Sequence, residues 1–575
     1  MITNDKPITH FIKQSAISLV NRIRNHRYSA NQLIVITSLY VAFVCNFPFL
    51  TRAITAITQT SDYSFLFLLS VPTLLVSLII MINGTIGVGK LLKPLLILTI
   101  LLSTVLLYAT ASYGVVFDYT MIQNGAETDS AEAFSYLNAH DIVFVILVGG
   151  IPALGIFFAK VKTQSWSRGL KARSALVASH TILVVLIASV FYANYAAVGR
   201  NNRELLAYIT PYKFVDATVK YTKRHYFTTE LPFKTLDSNP LLEIEDDKAR
   251  VTVLVVGETA RAQNFSLNGY SHNTNQYTED SGIVSFTKVS SCGTATAVSL
   301  PCMFSRLDRQ TYDNRTANAQ QNLLDIAKAA GTDVLWIDNN NGSCKGVCAR
   351  VNSIDIDTGI ANPLCDGEYC FDEALLLPLQ NKLDNLSAKN TLIVLHMIGS
   401  HGPTYYKRYP QDKAVFLPDC QRSDIQHCSE QEIVNTYDNT IAYTDFVLNK
   451  IIARLEKLES DSAVQTAMLY ISDHGESLGE KGVYLHGLPY AFAPQEQTHV
   501  PMLFWQNKSL AHQDNDCIKS VSSEVISHDN LFDIVLGITS VSSTQYIEGR
   551  DVLSKCRASD GLLAAATEPN TKILL

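Results

Sequence analysis

The chain has 575 residues, with 46 Lys and Arg against 53 Asp and Glu for a net charge of -7, and 47% of its residues are hydrophobic. That length excludes one compact core and calls for at least two domains. The charge is bland and excludes no class by itself, whereas the hydrophobic share is high for a soluble protein and is concentrated before about residue 200.

Five apolar stretches in that first part are long enough to cross a bilayer, which takes roughly 20 residues. They run from Leu33 to Leu50, Phe65 to Ile82, Leu91 to Ala111, Ile142 to Ala159 and Leu176 to Ala197. Buried soluble helices are the alternative, but runs with so little internal charge would leave no polar face to meet water. The amino-terminal tail carries Lys6, Lys13, Arg22, Arg24 and Arg27. The second loop carries Lys90 and Lys93, and the fourth Lys160, Lys162, Arg168, Lys171 and Arg173. The first loop has only Arg52, and the third has Asp118, Glu127, Asp129 and Glu132 without a Lys or Arg. The basic loops therefore face the cytoplasm, and everything after residue 200 lies on the far side. The first span reads as a retained signal-anchor.

Cysteine usage tests that topology. Of 11 Cys, only Cys45 lies in the apolar part. The remaining ten, mostly in close pairs, are what an oxidising compartment turns into disulfides. A zinc ribbon is the rival for Cys344 and Cys348, but no second pair at ribbon spacing accompanies them. Residues 200–235 alternate Arg200, Arg203, Lys213, Lys220, Lys223 and Arg224 with Leu205, Leu206, Tyr208, Tyr212, Phe214 and Tyr221. This basic amphipathic segment suggests a linker helix at the membrane surface; a solvated connecting helix is the alternative.

The globular part starts near residue 236. Val251 to Val256, Val334 to Ile337, Leu392 to Leu395 and Ala467 to Ile471 are short apolar runs of the kind that form sheet strands covered on both faces. Helical stretches lie between them, such as Gln320 to Ala330 and Thr440 to Leu458, so the class is α/β. The runs lead into Gly257-Glu258-Thr259, Asp338-Asn339-Asn340, His396 with Gly399-Ser400-His401-Gly402, and Ser472-Asp473-His474-Gly475. Ligands bind beyond the carboxyl ends of such strands, so these groups should converge on one cleft.

Glu258, Asp473 and His474 then make a zinc ligand set that leaves a coordination position open, with His401, His486 and His499 in reserve. One such strand end would mean little, since capping Asp and satisfied buried His are common. A fourth ligand lies in Ser291-Cys292-Gly293-Thr294-Ala295-Thr296-Ala297-Val298-Ser299-Leu300-Pro301-Cys302. Metal coordination is a standard way to activate threonine; a helix N-cap is the ordinary job for it, and the two are compatible.

GETAR at 257–261, SCGTATAVSLPCMFS at 291–305, HMIGSHGP at 396–403 and SDHGESLGEKGVYLHG at 472–487 resemble the lipid A phosphoethanolamine transferases, the family that includes the mobile colistin-resistance enzymes. The likeness spans essentially the whole chain. It implies a five-helix transmembrane domain (1–199), the linker (200–235) and a periplasmic α/β domain of the alkaline-phosphatase/sulfatase type (236–575). It implies Thr296, not Thr294, as nucleophile, and Glu258, Thr296, Asp473 and His474 as zinc ligands. His401 and His486 match histidines associated with a second Zn2+ or with proton transfer. Asn340 and Lys345 match donor-phosphate contacts, and Asn124, Thr128 and Glu132 match headgroup contacts. The implied disulfides are Cys292–Cys302, Cys344–Cys348, Cys365–Cys370 and Cys420–Cys428, leaving Cys517–Cys556. The implied reaction moves phosphoethanolamine from phosphatidylethanolamine to a phosphate of lipid A through a covalent threonine intermediate. Lower surface charge and polymyxin resistance would follow. The same transfer onto a core heptose or Kdo sugar is the nearest alternative; a sulfatase-type hydrolase and a non-enzymatic lipid sensor are the others. A monomer in the Gram-negative inner membrane, with no nucleic-acid partner, is expected.

Overall fold

The computed structural model describes residues 26–59, 64–127, 138–229, 231–243, 248–340, 343–359, 362–462, 464–507 and 515–557. The chain divides into two compact units, Met1–Ile122 with Leu137–Tyr226, and Gln123–Tyr136 with Phe227–Leu575. The tail residues Lys6, Lys13, Arg22 and Arg24, used above for orientation, lie outside the described residues.

Among the described residues of the first unit, four helices are long and apolar enough to cross a membrane: α3 (Phe65–Ile86), α4 (Gly89–Tyr113), α5 (Ala139–Phe158) and α6 (Trp166–Asn201). The run from Leu33 to Leu50 contains a break instead. Helices α1 (Ala30–Cys45) and α2 (Phe47–Thr58) are bent by 64° and count as a fifth span only together. Pro48 sits in the first turn of α2, where its missing N–H does no harm but cannot continue α1. Asn46 at the break is fully buried, and its amide serves the backbone that the break exposes. It donates to the Val41 and Thr210 carbonyls at 2.9 and 2.8 Å and accepts from the Thr210 N–H at 2.9 Å. The Asn46 backbone N–H also donates to the Val41 carbonyl, at 2.9 Å, so both the main chain and the side chain of Asn46 close the break. Arg173 does the same for the end of α3, donating to the Gly84 and Gly87 carbonyls at 3.1 and 2.6 Å. The basic segment forms a turn at Arg203–Tyr208 and helix α7 (Tyr212–Tyr226), which carries Lys213, Lys220, Lys223 and Arg224 beside exposed Val215 and Val219.

The second unit is built on an eight-stranded sheet. In chain order its strands are β1 (Arg250–Gly257), β2 (Val284–Ser290), β3 (Asp333–Asp338), β4 (Asn352–Asp355), β5 (Asn390–His396), β6 (Gln465–Ser472), β7 (His499–Gln506) and β8 (Ile526–Ser527). In space they run β8-β2-β7-β6-β1-β5-β3-β4, and only β7 is antiparallel to its neighbours. The four apolar runs of the sequence are thus the contiguous centre, β6-β1-β5-β3. Leu254, Val256, Leu392, Val394, Leu469 and Ile471 face one core, shared with Leu323–Ala329 and Leu531–Ile538. The alternate residues of these strands, including Val253, Val255, Ile393 and Met468, are equally buried, and helix α9 (Glu430–Ser462) packs against β6. Both faces of these strands are therefore covered, and burying each such side chain stabilises by about 1.5–3 kcal/mol.

Register then places the chemistry. Val256 of β1 aligns with His396 of β5 and Ile471 of β6, Gly257 with Ser472, and Asp338 of β3 with His396. The central strands end level, so the residues just past them share one cleft. The structure pairs Cys292–Cys302, Cys344–Cys348, Cys365–Cys370, Cys420–Cys428 and Cys517–Cys556, and leaves Cys45 free and buried.

Candidate active site

Thr296 is the first residue of helix α8 (Thr296–Met303). The capping position belongs to Ala295, which has no side-chain donor or acceptor, so the Thr296 hydroxyl is not spent on the helix. It lies 3.1 Å from each Glu258 oxygen and 3.4 Å from His474 Nε2. Ser299, one turn on, fixes the register of α8 by donating to the Asp473 carbonyl while accepting from the Gly293 N–H at 3.2 Å.

Each group facing Thr296 is held from behind. Glu258 accepts from Thr259 Oγ1 at 2.6 Å and from Asn340 Nδ2 at 2.7 Å. Asp473 Oδ1 accepts the backbone N–H of Thr259 at 3.1 Å and of His474 at 2.7 Å. Thr259 itself has φ 60°, an uncommon backbone for a β-branched residue, held by these bonds and by Tyr437 OH on its carbonyl at 2.7 Å. His474 Nδ1 is 2.9 Å from the Gly475 carbonyl, which can only accept, so Nδ1 carries a proton and Nε2 faces the cluster.

Glu258, Asp473 and His474 are all fully buried, and one ligand atom from each lies within 4.8 Å of the others. Asp473 Oδ2 is buried without a hydrogen-bond partner, a costly state for a carboxylate oxygen unless a cation meets it. Burial alone would lower the pKa of His474, but the Asp473 and Glu258 carboxylates push it up to about 10. Burial likewise acts to raise Glu258, yet His474 holds it well below the usual range. Asp473 is raised, first by burial and then by the Glu258 charge. The pocket demands one positive charge, met by a proton on His474 Nε2 or by a metal that displaces it. Two carboxylates and an imidazole with a fourth oxygen alongside suit a zinc-like ion.

His486 and His401 extend the site. The His486 ring centroid is 4.5 Å from that of His474 and 5.6 Å from that of His401. Asn340 is at the cluster as a donor to Glu258. Lys345 Nζ donates to the Glu127 carbonyl at 3.1 Å, on the short helix Tyr119–Glu127 that also carries Asn124. Thr128 and Glu132 lie outside the described residues. His499 is engaged elsewhere, 2.8 Å from the Thr287 carbonyl.

Three supporting groups escaped the sequence reading. Glu476 is fully buried and sits 2.8 Å from His486 Nδ1, while Tyr405 OH donates to its other oxygen. Asp372 accepts the Ile398 and Gly399 N–H groups at 2.9 Å each and so holds the loop leading to His401. Gly399 has φ +52°, and a Cβ there would fall 2.6 Å from the Glu258 carbonyl. His528 is buried 3.0 Å from the Ser472 carbonyl, and burial pushes its pKa down to about 3. Only Glu476 carried a signal, its position inside the DHGES run.

Gly475 is the tightest point. A Cβ there would lie 2.1 Å from the Glu496 carbonyl and 3.1 Å from Arg261 Cβ. Gly475→Ala is expected to destabilise by about 1–3 kcal/mol and to disturb His474, whose Nδ1 partner is this residue. A thermal melt of the full-length variant, with an unchanged midpoint counting against the clash, checks it.

A level row of strand ends carrying two carboxylates, an imidazole and a helix-initial hydroxyl defines a sulfatase-class domain, and residues 250–541 match the sulfatase family model. Residues 75–226 match the family model "Phosphoethanolamine transferase EptA/EptB". The chain is 38% identical over 533 residues to the phosphoethanolamine transferase EptA of Escherichia coli K12, covering 91% of this chain and 96% of that protein. It is 37% identical over 463 residues to the phosphatidylethanolamine transferase Mcr-1 of Escherichia coli, covering 79% and 84%. The solved integral membrane protein lipooligosaccharide phosphoethanolamine transferase A of Neisseria meningitidis superposes with a TM-score of 0.86 at 36% identity, covering 92% of this chain and 100% of that one. The chain therefore belongs to the phosphoethanolamine transferase family. It is a transferase with membrane-spanning amino-terminal helices and a soluble sulfatase-type domain.

Proposed function

We propose that this enzyme moves phosphoethanolamine from phosphatidylethanolamine to a phosphate of lipid A through Thr296. The observation that carries the reading is the Thr296 hydroxyl, 3.1 Å from both Glu258 oxygens and 3.4 Å from His474 Nε2, free of any capping duty. Glu258, Asp473, His474 and Thr296 would hold one zinc ion, which supplies the positive charge that makes a threonine alkoxide accessible. In the first step Thr296 Oγ1 attacks the donor phosphorus, the bond to diacylglycerol breaks, and His401 protonates the departing alkoxide. A lipid A phosphate oxygen then attacks the phosphoethanolamine-threonine, and Thr296 Oγ1 leaves. Lys345 offsets charge on the phosphoryl oxygens, Asn340 holds Glu258 in place, and Asn124, Thr128 and Glu132 receive the headgroup.

Both substrates are lipids, which is why the reading favours transfer over hydrolysis: holding the site at a membrane supplies proximity. The proposed arrangement is a monomer in the Gram-negative inner membrane, with residues 1–199 spanning it, 200–235 linking, and 236–575 in the periplasm. A primary amine added to lipid A lowers surface negative charge, so weaker binding of cationic polymyxins follows. The test is mass spectrometry of lipid A and of the lipopolysaccharide core from a Gram-negative host expressing the protein. Phosphoethanolamine on lipid A is the expected result. Modification confined to a core heptose or Kdo sugar, or an unmodified pool, would overturn the acceptor.

A further inference from the structure

His528 has no part in the proposed chemistry, yet it is 1% exposed and sits among the strand ends. It opens the short turn His528–Asn530 directly after β8. Ser527 locks that turn, accepting from the Asp529 N–H at 3.2 Å while its own N–H donates to Asn530 Oδ1 at 2.9 Å. The ring is therefore aimed from its own side.

Its two nitrogens do opposite jobs. Nδ1 is 3.1 Å from the Cys292 backbone nitrogen, whose N–H can only donate. Nε2 is 3.0 Å from the Ser472 carbonyl, which can only accept. Only the neutral ring with its proton on Nε2 makes both bonds at once. Ser299 Oγ lies 3.3 Å from Nδ1 but spends its proton on the Asp473 carbonyl, so it is a neighbour of the ring and not a third hydrogen bond.

The two backbone partners belong to the two halves of the site. Cys292 opens the disulfide-closed loop that delivers Thr296, and Ser472 ends β6 immediately before Asp473 and His474. Strands β2 and β6 are not neighbours, because β7 lies between them. Among the described residues no direct ladder joins β2 to β6, and β7 links them only at one remove. The direct ties from the Thr296 loop to the end of β6 are Ser299, on the Asp473 carbonyl, and His528, which bonds both Cys292 and Ser472.

We infer that His528 is a positioning residue: a neutral imidazole that pins the Thr296 loop to the end of β6 and so fixes the nucleophile against Glu258, Asp473 and His474. It works through Cys292 and Ser472 and touches no reacting atom. The inference rests on the reading of Thr296 as nucleophile.

Three substitutions in the full-length protein separate positioning from bulk. His528→Asn keeps an acceptor where Nδ1 stands, His528→Gln keeps a donor near Nε2, and His528→Ala keeps neither. Deuterium exchange at the Cys292 amide is followed in zinc-free protein, so that the readout needs neither metal nor turnover. It is expected to be about tenfold faster in the alanine and glutamine variants and close to wild type in the asparagine variant. With phosphatidylethanolamine in detergent micelles, kcat is expected to fall about 10- to 100-fold in His528→Ala, with KM within about twofold and the other two variants intermediate. Wild-type exchange and kcat in His528→Ala, or equal losses in all three variants, would overturn the inference. Should the alanine variant not fold, the asparagine-glutamine contrast at Cys292 decides. Failure of the underlying reading looks different: Thr296→Ala would then transfer as well as wild type, whereas failure of the His528 inference leaves Thr296→Ala inactive.

Discussion

Thr296→Ala is expected to slow phosphoethanolamine transfer by about 10,000-fold or more, the scale of removing a catalytic nucleophile. The protein should nevertheless stay folded. Among the described residues the hydroxyl's hydrogen-bond partners are the site groups Glu258 and His474, and no helix cap depends on it. Its removal should therefore change stability by about 1–3 kcal/mol, too little to unfold the protein. Thr296→Ser is the informative companion. Serine restores the oxygen but not the Cγ2 methyl that restricts χ1 in a helix, so the hydroxyl samples positions away from the cluster. An intermediate rate, about 10- to 100-fold below wild type, is expected. Headgroup transfer from labelled phosphatidylethanolamine gives the rates. Mass analysis of the peptide carrying residue 296 shows whether a phosphoethanolamine group accumulates on it when acceptor is withheld. An alanine variant with wild-type turnover, or an adduct on Thr294 instead, would remove Thr296 from the chemistry.

The centre of the sheet was legible because β1, β3, β5 and β6 are covered on both faces, and such strands have to be apolar throughout. The strands that escaped have physical reasons for doing so. In β7 (HVPMLFWQ), Pro501 argues against a strand, and the structure absorbs it by a register shift between Val500 and Met502. In β2 (VSFTKVS), Lys288 is exposed and the run is only half apolar. Helix α9 begins at Glu430, earlier than the Thr440 read from the sequence, where Asn435, Asp438 and Asn439 look like turn formers. Tertiary bonds recruit them: Asn439 Oδ1 accepts the Val415 and Phe416 N–H groups at 2.7 and 2.8 Å, and Asp438 accepts from Asn264 at 2.6 Å.

The site divides the same way. Glu258, Asp473 and His474 follow apolar strands directly, and level register brings them together, so a strand-end reading finds them. The choice of Thr296 needed the resemblance, since nothing local distinguishes it from Thr294. Asn340 stood at a strand end and His486 in the histidine pool, and only their roles came from the likeness. In the structure Thr294 Oγ1 donates to the Leu488 carbonyl at 2.6 Å, a purely structural bond. Asp372 and His528 act on backbone from distant parts of the chain, and sequence alone has no signal for that. Glu476 is nearer its partner His486, and its place in the DHGES run was the one signal.

Asp473→Asn should produce the second largest effect, and one that reverses sign with metal. The two oxygens of Asp473 have different jobs. Oδ1 accepts two backbone N–H groups, from Thr259 and His474, and neither donor can turn round. Asparagine must therefore keep its Oδ1 there, which forces its NH2 group into the place of Oδ2. Oδ2 is the buried oxygen without a hydrogen-bond partner, the one available to a cation. The variant thus keeps its backbone bonds but presents donors where a ligand lone pair is needed. Zinc affinity should fall by more than about 100-fold, beyond the loss usual for an outer partner of a ligand, and transfer should fall with it. Without metal the order of stability should invert. Wild type then keeps Glu258 and Asp473 buried together, with His474 the only counter-charge among the three, and asparagine removes one of those two like charges. In excess chelator Asp473→Asn is expected to melt no lower than wild type. With zinc at 100 times the wild-type dissociation constant, wild type should gain about 2.7 kcal/mol and the variant no more than about 0.4 kcal/mol. Thermal melts of both full-length proteins, with chelator and with zinc, measure the crossing. Parallel zinc-dependent gains in the two proteins would show that Asp473 is not a ligand.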